Sequence, residues 1–138
     1  MKKKISIILV ILWMILIFIM SSFSGNDSSN QSNFIVDIIS NIFNINNIEL
    51  LSLIIRKLAH FTEYFILGIL VYNMIYNLNK KKYISIIICI LYAISDEIHQ
   101  LFVIGRSCKF IDILIDSCGS ITGIYFLYLI YKIFLKKK

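Results

Sequence analysis

The sequence has no proline and few charged residues: Asp, Glu, Lys and Arg together make up 16% of its 138 residues. Hydrophobic residues make up 59%, whereas a soluble domain has roughly 45 to 50%, and the mean hydropathy is +0.83. This composition excludes an ordinary soluble protein and indicates an integral membrane protein. The length allows about four spanning helices of roughly 20 residues each, which leaves no room for a separate soluble domain.

Several functional motifs are also missing. The three cysteines form no CxxC pair, so we expect no metal site built from cysteine; Cys89 and Cys118 lie inside apolar runs and should behave as small hydrophobic residues. In a largely helical segment Cys108 and Cys118 would be about 15 Å apart, too far for a disulfide. The sequence has no glycine-rich phosphate-binding loop.

The net charge of +6 comes mainly from lysines in three blocks, Lys2–Lys4, Lys80–Lys82 and Lys136–Lys138. Each block flanks an apolar run, which is typical of the cytoplasmic ends of membrane helices and not of a nucleic-acid-binding surface. We therefore expect no nucleic-acid partner. The blocks predict a multi-pass protein of the plasma membrane with both termini in the cytoplasm.

The apolar runs predict an all-α fold that forms a single membrane domain over residues 1–138, with spans at about 5–22, 58–78, 83–104 and 110–134. Residues 23–57 would form an outer loop with an amphipathic segment at the membrane interface. A cleaved signal peptide is an alternative for the first run, although the sequence lacks an alanine-type cleavage site. A fifth span over about 34–55 would contain many polar residues and would put the second lysine block on the opposite side from the first.

A dense polar cluster lies at the start of the second predicted span. Arg56, His60, Glu63 and Tyr64 are spaced at i, i+4, i+7 and i+8, so they share one face of a helix. Aromatic residues near the ends of spans usually anchor helices at the interface, and we expect this of Tyr64, Tyr92 and Phe102.

The third and fourth predicted spans carry similar clusters. Asp96 has His99 at i+3 and Gln100 at i+4, Glu97 points about 100° away from Asp96, and Asp112 and Asp116 are one turn apart. Ionised groups inside a span cost on the order of 2.5 to 3.5 kcal/mol each, so these side chains should face one another. We expect an outward-facing polar pocket with Arg56 and Arg106 near its rim and six groups deeper inside: His60, Glu63, Asp96, His99, Asp112 and Asp116.

These motifs resemble the VanZ-like family of small membrane proteins over nearly the whole chain. The resemblance rests on Arg56-Lys57-x-Ala59-His60-Phe61-x-Glu63-Tyr64, on Ser95-Asp96-Glu97-x-His99-Gln100-x-Phe102-Val103-x-Gly105-Arg106, and on Asp112-x-x-x-Asp116-x-x-Gly119-x-x-x-Gly123. Two departures stand in the outer loop: Ile104 replaces a frequent proline, and Ser107–Phe110 replaces a connection richer in glycine and serine. The resemblance implies a four-helix membrane protein and a link to resistance against the antibiotic teicoplanin, but no mechanism.

Three hypotheses follow for the predicted pocket. It binds an anionic lipid or lipid-linked cell-envelope component, with these ligand-binding residues: Arg56, Arg106, Glu97, Gln100, Asp112 and Asp116. Alternatively, it is an enzyme site in which His60, Glu63, Asp96 and His99 are catalytic, and a metal held by imidazoles and carboxylates is conceivable but not favoured. The third hypothesis is a polar network that only fixes the helices. The sequence specifies neither a cofactor nor an oligomeric state.

Overall fold

The computed structural model describes residues 2–24, 33, 35–42 and 47–135. Four long helices account for most of them: α1 (Lys2–Ser21), α2 (Ile48–Asn77), α3 (Tyr83–Gln100) and α4 (Phe110–Leu135). Residues 35–42 add a short helical segment, and the described part of the chain contains no strand. All four long helices contain stretches long and apolar enough to cross a membrane. The predicted all-α fold with four candidate membrane spans is confirmed.

Helix α2 begins ten residues before the predicted start of the second span, at Ile48 instead of residue 58. The side-chain oxygen of Asn47 accepts a hydrogen bond from the backbone N–H of Leu50 at 3.1 Å and caps the helix. Residues 48–57, expected in the outer loop, therefore continue the second helix. The remaining part of that predicted loop lies partly outside the described residues, which omit 25–32, 34 and 43–46.

Helix α3 ends at Gln100, four residues before the predicted end of the third span. Residues 101–109 then form a series of turns before α4. Gly105 has a positive φ of 75°, a backbone conformation in which a side chain would be strained. The turns thus bring Arg106 back towards the ends of the helices.

Helices α2 and α4 make the most extensive contact in the bundle. A methyl group on Gly119 would overlap the backbone of Phe61, and one on Gly123 would overlap the carbonyl oxygen of Phe65. Gly68 lies equally close to the backbone of Ser120. Because a step of four residues on α4 matches a step of four on α2, the two helices run parallel, and their close approach sets which side chains of α2 face α4.

Helix α1 is attached to the other helices by side chains that bond to backbone carbonyls. The indole N–H of Trp13 donates to the carbonyl oxygen of Glu63 at 2.9 Å, and the hydroxyl of Tyr92 donates to the carbonyl oxygen of Met14 at 2.6 Å. Val10 and Ile17 of α1 are buried in the apolar core of the bundle. Helix α1 is therefore packed as an integral part of the fold.

The bundle has two chemically different ends. The sequence motifs described above lie at the end where α2 and α4 begin and α3 stops; we call it the motif end. At the opposite end, called the lysine end, Lys82 lies 4.1 Å from the ring centre of Tyr125 and 4.2 Å from that of Tyr128. Lys80 and Lys81 are exposed there. The ionisable groups of the predicted site therefore gather at one end of the bundle.

Candidate functional site

A cavity of about 160 Å³ opens at the motif end, between α2, α4 and the turns that follow α3. It is lined by six of the predicted site residues, namely Arg56, His60, Gln100, Arg106, Asp112 and Asp116. Lys57 and Lys109, which were not predicted as site residues, line it as well. The cavity wall thus carries four cationic groups, from two arginines and two lysines, together with two carboxyl groups on α4.

One of those carboxyl groups is already neutralised by the fold. Lys57 Nζ lies 2.5 Å from Oδ1 of Asp112, and the two side chains are 34% and 29% exposed. This ion pair joins the first turns of α4 to α2. Asp112 therefore compensates Lys57 and leaves the arginines without that partner.

Both arginines of the sequence line this cavity. Burial lowers the pKa of Arg106 from its ordinary value, and the charge of Arg56, which lines the same cavity, lowers that pKa further. In the described part of the chain neither arginine forms an ion pair with a carboxylate. Among the described residues, the carboxylates predicted for the site therefore form no ion pair with the arginines.

Arg106 is held by the backbone. Its Nε–H donates to the carbonyl oxygen of Phe23 at 3.2 Å, just beyond the end of α1. This bond uses only the inner nitrogen, and the guanidinium has further N–H donors on its two terminal amino groups. Arginine remains protonated in proteins even when its pKa falls, so Arg106 keeps its charge.

Glu97 stabilises the loop and does not line the cavity. Its side chain is 1% exposed, and its Oε2 accepts a hydrogen bond from the backbone N–H of Lys109 at 3.0 Å. The carboxylate thereby joins α3 to the residue that immediately precedes α4. Glu97 thus positions the segment that carries Arg106, in place of contacting a ligand as the sequence predicts.

A layer of buried polar groups lies beside the cavity. Asp96 is 3% exposed, and its Oδ2 accepts a hydrogen bond from Gln100 at 3.2 Å, as the i+4 spacing predicts. Glu63 Oε2 lies 3.8 Å from His60 Nδ1. Glu63 and Asp96 do not line the cavity, although both lie within electrostatic range of Arg106.

Tyr64 belongs to this buried layer and does not anchor α2 at the interface, so that expectation was wrong. Its side chain is 0% exposed, because it points between the helices towards Tyr92, with ring centres 6.2 Å apart. Tyr92 is half-buried and bonded to α1, whereas Phe102 is 82% exposed.

The structure separates His99 from the rest of the predicted pocket. Its ring stacks on Phe18 of α1 with ring centres 4.3 Å apart, and its Nε2 lies 3.0 Å from the hydroxyl oxygen of Ser22. The prediction that His99 meets the polar face of α2 is therefore wrong. The physical reason is that residues three apart on a helix differ by about 60° in direction, which is enough for Asp96 to face inwards while His99 faces α1.

The described residues contain no group of three or more His, Cys, Asp or Glu side chains arranged to hold a metal ion. Among the four residues predicted to be catalytic, only His60 lines the cavity. The chemistry of the cavity is accordingly that of cationic donors and one fully buried carboxyl group.

Comparison with models of protein families matches residues 6–134 to VanZ/LLP1. No curated protein and no solved structure matched the chain. The matched range covers every residue that lines the cavity and nearly all of the four long helices. The chain belongs to the VanZ/LLP1 family of membrane proteins.

Proposed function

We propose that this protein binds the phosphate group of an anionic lipid or of a lipid-linked cell-envelope component between Arg56 and Arg106. The observation that carries the proposal is that these guanidinium groups share one cavity while neither is paired with a carboxylate among the described residues. Two adjacent cations repel each other, and a bound anion removes that repulsion. Arginine also offers a planar set of donors that matches the oxygens of a phosphate.

The surroundings of the cavity mouth favour a ligand that comes from the membrane. Phe102, Ile104 and Phe110 flank, in the sequence, the loop residues that line the cavity, and they are 82%, 87% and 73% exposed. Exposed apolar side chains of this size are favourable where they contact lipid, and aromatic residues are common at the membrane interface. The cavity mouth would then open at the depth of the lipid headgroups.

The size of the cavity favours binding of a headgroup alone. Sites for whole drug-sized molecules typically enclose roughly 300 to 1,000 Å³, whereas this cavity encloses about 160 Å³. A phosphate with a short substituent fits such a volume, while acyl or prenyl chains would stay in the bilayer beside α2 and α4.

In this proposal, the lysine blocks determine which end of the helical bundle faces the cytoplasm. Lys4, Lys81 and Lys132 lie at the lysine end, and cytoplasmic ends of membrane helices are enriched in lysine and arginine. Both termini would then lie in the cytoplasm and the cavity would open to the outer leaflet of the plasma membrane. A role in teicoplanin resistance, which the VanZ-like resemblance implies, would act through the envelope component bound there.

The test is binding of phosphatidylglycerol to the purified full-length protein in nanodiscs, measured for the wild type, Arg56→Lys and Arg106→Lys. Lysine keeps the charge but loses the fork of donors, so each variant should bind about tenfold or more weakly. Lys109→Arg, which keeps the charge of the cavity and adds donors, is the matched control and should bind at least as tightly as the wild type. Unchanged affinity in both lysine variants would refute the proposal.

A further inference from the structure

Among the ionisable groups that line the cavity, Asp116 is the one that is fully buried. Its side chain is 0% exposed, and among the described residues neither of its carboxyl oxygens has a hydrogen-bond partner. Asp112, one turn earlier on α4, is 29% exposed and paired with Lys57. Asp116 therefore lies deeper than Asp112 and presents two oxygens that the fold leaves without a donor.

An arrangement of this kind is costly unless something compensates it. A buried carboxyl group without hydrogen bonds loses several kcal/mol of hydration that no other contact returns. Two buried groups outside the cavity wall, Asp96 Oδ1 and the hydroxyl of Tyr64, also lack partners among the described residues. Asp116 thus presents buried acceptors to the cavity, whereas the arginines and lysines of its wall are cationic donors.

From this polarity, and resting on the function proposed above, we infer that the ligand carries a primary ammonium group close to its phosphate, and that Asp116 binds the ammonium. The phosphate lies at the mouth between the two arginines, and the ammonium reaches inwards to the Asp116 carboxylate. An ammonium is suited to this position because it supplies three donors and the opposite charge. The ligand class is a phosphate ester of an amino alcohol.

The close contact of α2 with α4 fixes the position of Asp116. Gly119 lies one turn further along α4 and packs on the backbone of Phe61, while Ser120 packs on Gly68. Gly123 packs on the backbone of Phe65, and Ser120 is fully buried, so α4 lies directly against α2 throughout this region. The carboxyl group of Asp116 is accordingly held at a fixed depth in the cavity. It should therefore favour ligands that place a hydrogen-bond donor at that depth.

Two soluble phosphate esters form a matched pair for the test. Phosphoethanolamine and phosphocholine have the same phosphate and the same positive charge, but the trimethylated nitrogen of phosphocholine has no N–H donor. Full-length wild-type protein in nanodiscs should bind phosphoethanolamine about tenfold or more tightly than phosphocholine, since a hydrogen bond to a charged group has at least this effect. Asp116→Asn should bind the two esters with similar affinity.

Asp112→Asn is the comparison variant. It removes an equal charge from the same helix, but from a carboxylate that is paired with Lys57 near the mouth. This variant should keep the preference for phosphoethanolamine even where its overall affinity changes. A preference lost equally in Asp112→Asn and Asp116→Asn would contradict the role of Asp116.

The wild-type measurement separates this inference from the proposed function. Equal binding of phosphoethanolamine and phosphocholine, both weakened in Arg56→Lys, would overturn the inference and leave the proposed function standing. Binding of neither ester, together with no binding of phosphatidylglycerol, would overturn both. Because the decisive comparison uses wild-type protein, it holds even where Asp116→Asn fails to fold.

Discussion

The ammonium of Lys57 and the carboxylate of Asp112 form the one lysine–carboxylate ion pair found in the described part of the chain, with 2.5 Å between Nζ and Oδ1. Arg56 precedes Lys57 in α2, yet it takes no part in the pair. The carboxylate of Asp112 is thus used by the lysine, and neither arginine is paired with a carboxylate among the described residues. This division of roles between neighbouring cations underlies the proposed function.

Removing one partner of the Lys57–Asp112 pair should destabilise the fold more than removing both. Asp112→Asn leaves the half-buried ammonium of Lys57 unpaired and should lower the free energy of unfolding by about 1 kcal/mol. The double variant Lys57→Met with Asp112→Asn should recover most of the loss. Thermal unfolding in detergent measures the stability of the single and the double variant, and Asp37→Asn at an exposed position is the control. An equal loss of stability in the single and the double variant would contradict the pairing.

Gly123→Ala should disrupt the contact between α2 and α4. The added methyl group would overlap the carbonyl oxygen of Phe65, and backbone atoms cannot move aside as a flexible side chain can. We expect a loss of about 1 to 3 kcal/mol in the free energy of unfolding, as for other overpacked sites. Thr122→Ala changes the neighbouring, exposed position and should have little effect. A Gly123→Ala protein as stable as the wild type would show that the helices do not approach this closely.

Trp13→Phe should weaken the attachment of α1. Phenylalanine keeps most of the apolar contact but removes the N–H that donates to the carbonyl oxygen of Glu63. The loss of one such bond inside a membrane protein is about 0.6 to 2 kcal/mol. Thermal unfolding measures the change. A separate check is the mass of the purified mature protein. A mass that lacks the residues of α1 would show that the first helix is cleaved, contrary to its role as a retained span.

The proposed orientation can be tested with cysteine labelling in a variant that lacks the natural cysteines Cys89, Cys108 and Cys118. A membrane-impermeant thiol reagent added to intact cells should label a cysteine at Ser107, beside the cavity, and should not label one at Lys81. Both positions are exposed, so accessibility within the protein does not decide the result. Labelling at Lys81 alone would place the cavity on the cytoplasmic side.

Hydropathy and helical periodicity were sufficient to predict the four candidate membrane spans and to place Arg56 and His60 on one side of a helix, where both line the cavity. The start of α2 was predicted ten residues too late because the polar side chains around Asn47 resemble a loop. In the structure Asn47 instead caps the helix. Asparagine lowers the local hydropathy in the same way whether it caps a helix or lies in a loop, so hydropathy does not distinguish the two.

The site was harder to predict than the fold, because residue spacing fixes a direction only to within about a quarter of a turn. His99 was expected in the pocket, yet the small difference in direction from Asp96 turns it towards Phe18. Lys57 and Lys109 were overlooked because each lies next to a more conspicuous residue, Arg56 in one case and Phe110 in the other. Their roles depend on the turn after α3, whose path rests on Gly105 and on the bond between Glu97 and Lys109.

The most direct test of the proposed function uses the fact that Arg56 and Arg106 are the two arginines of the chain. In protein labelled with ¹³C at the arginine guanidinium carbons and embedded in phosphatidylglycerol bilayers, solid-state NMR measures the distance from each carbon to the lipid ³¹P. We expect both carbons to lie within hydrogen-bonding reach of the same phosphate. If the protein is folded and embedded and neither arginine carbon lies near a lipid ³¹P, the proposed binding site is contradicted.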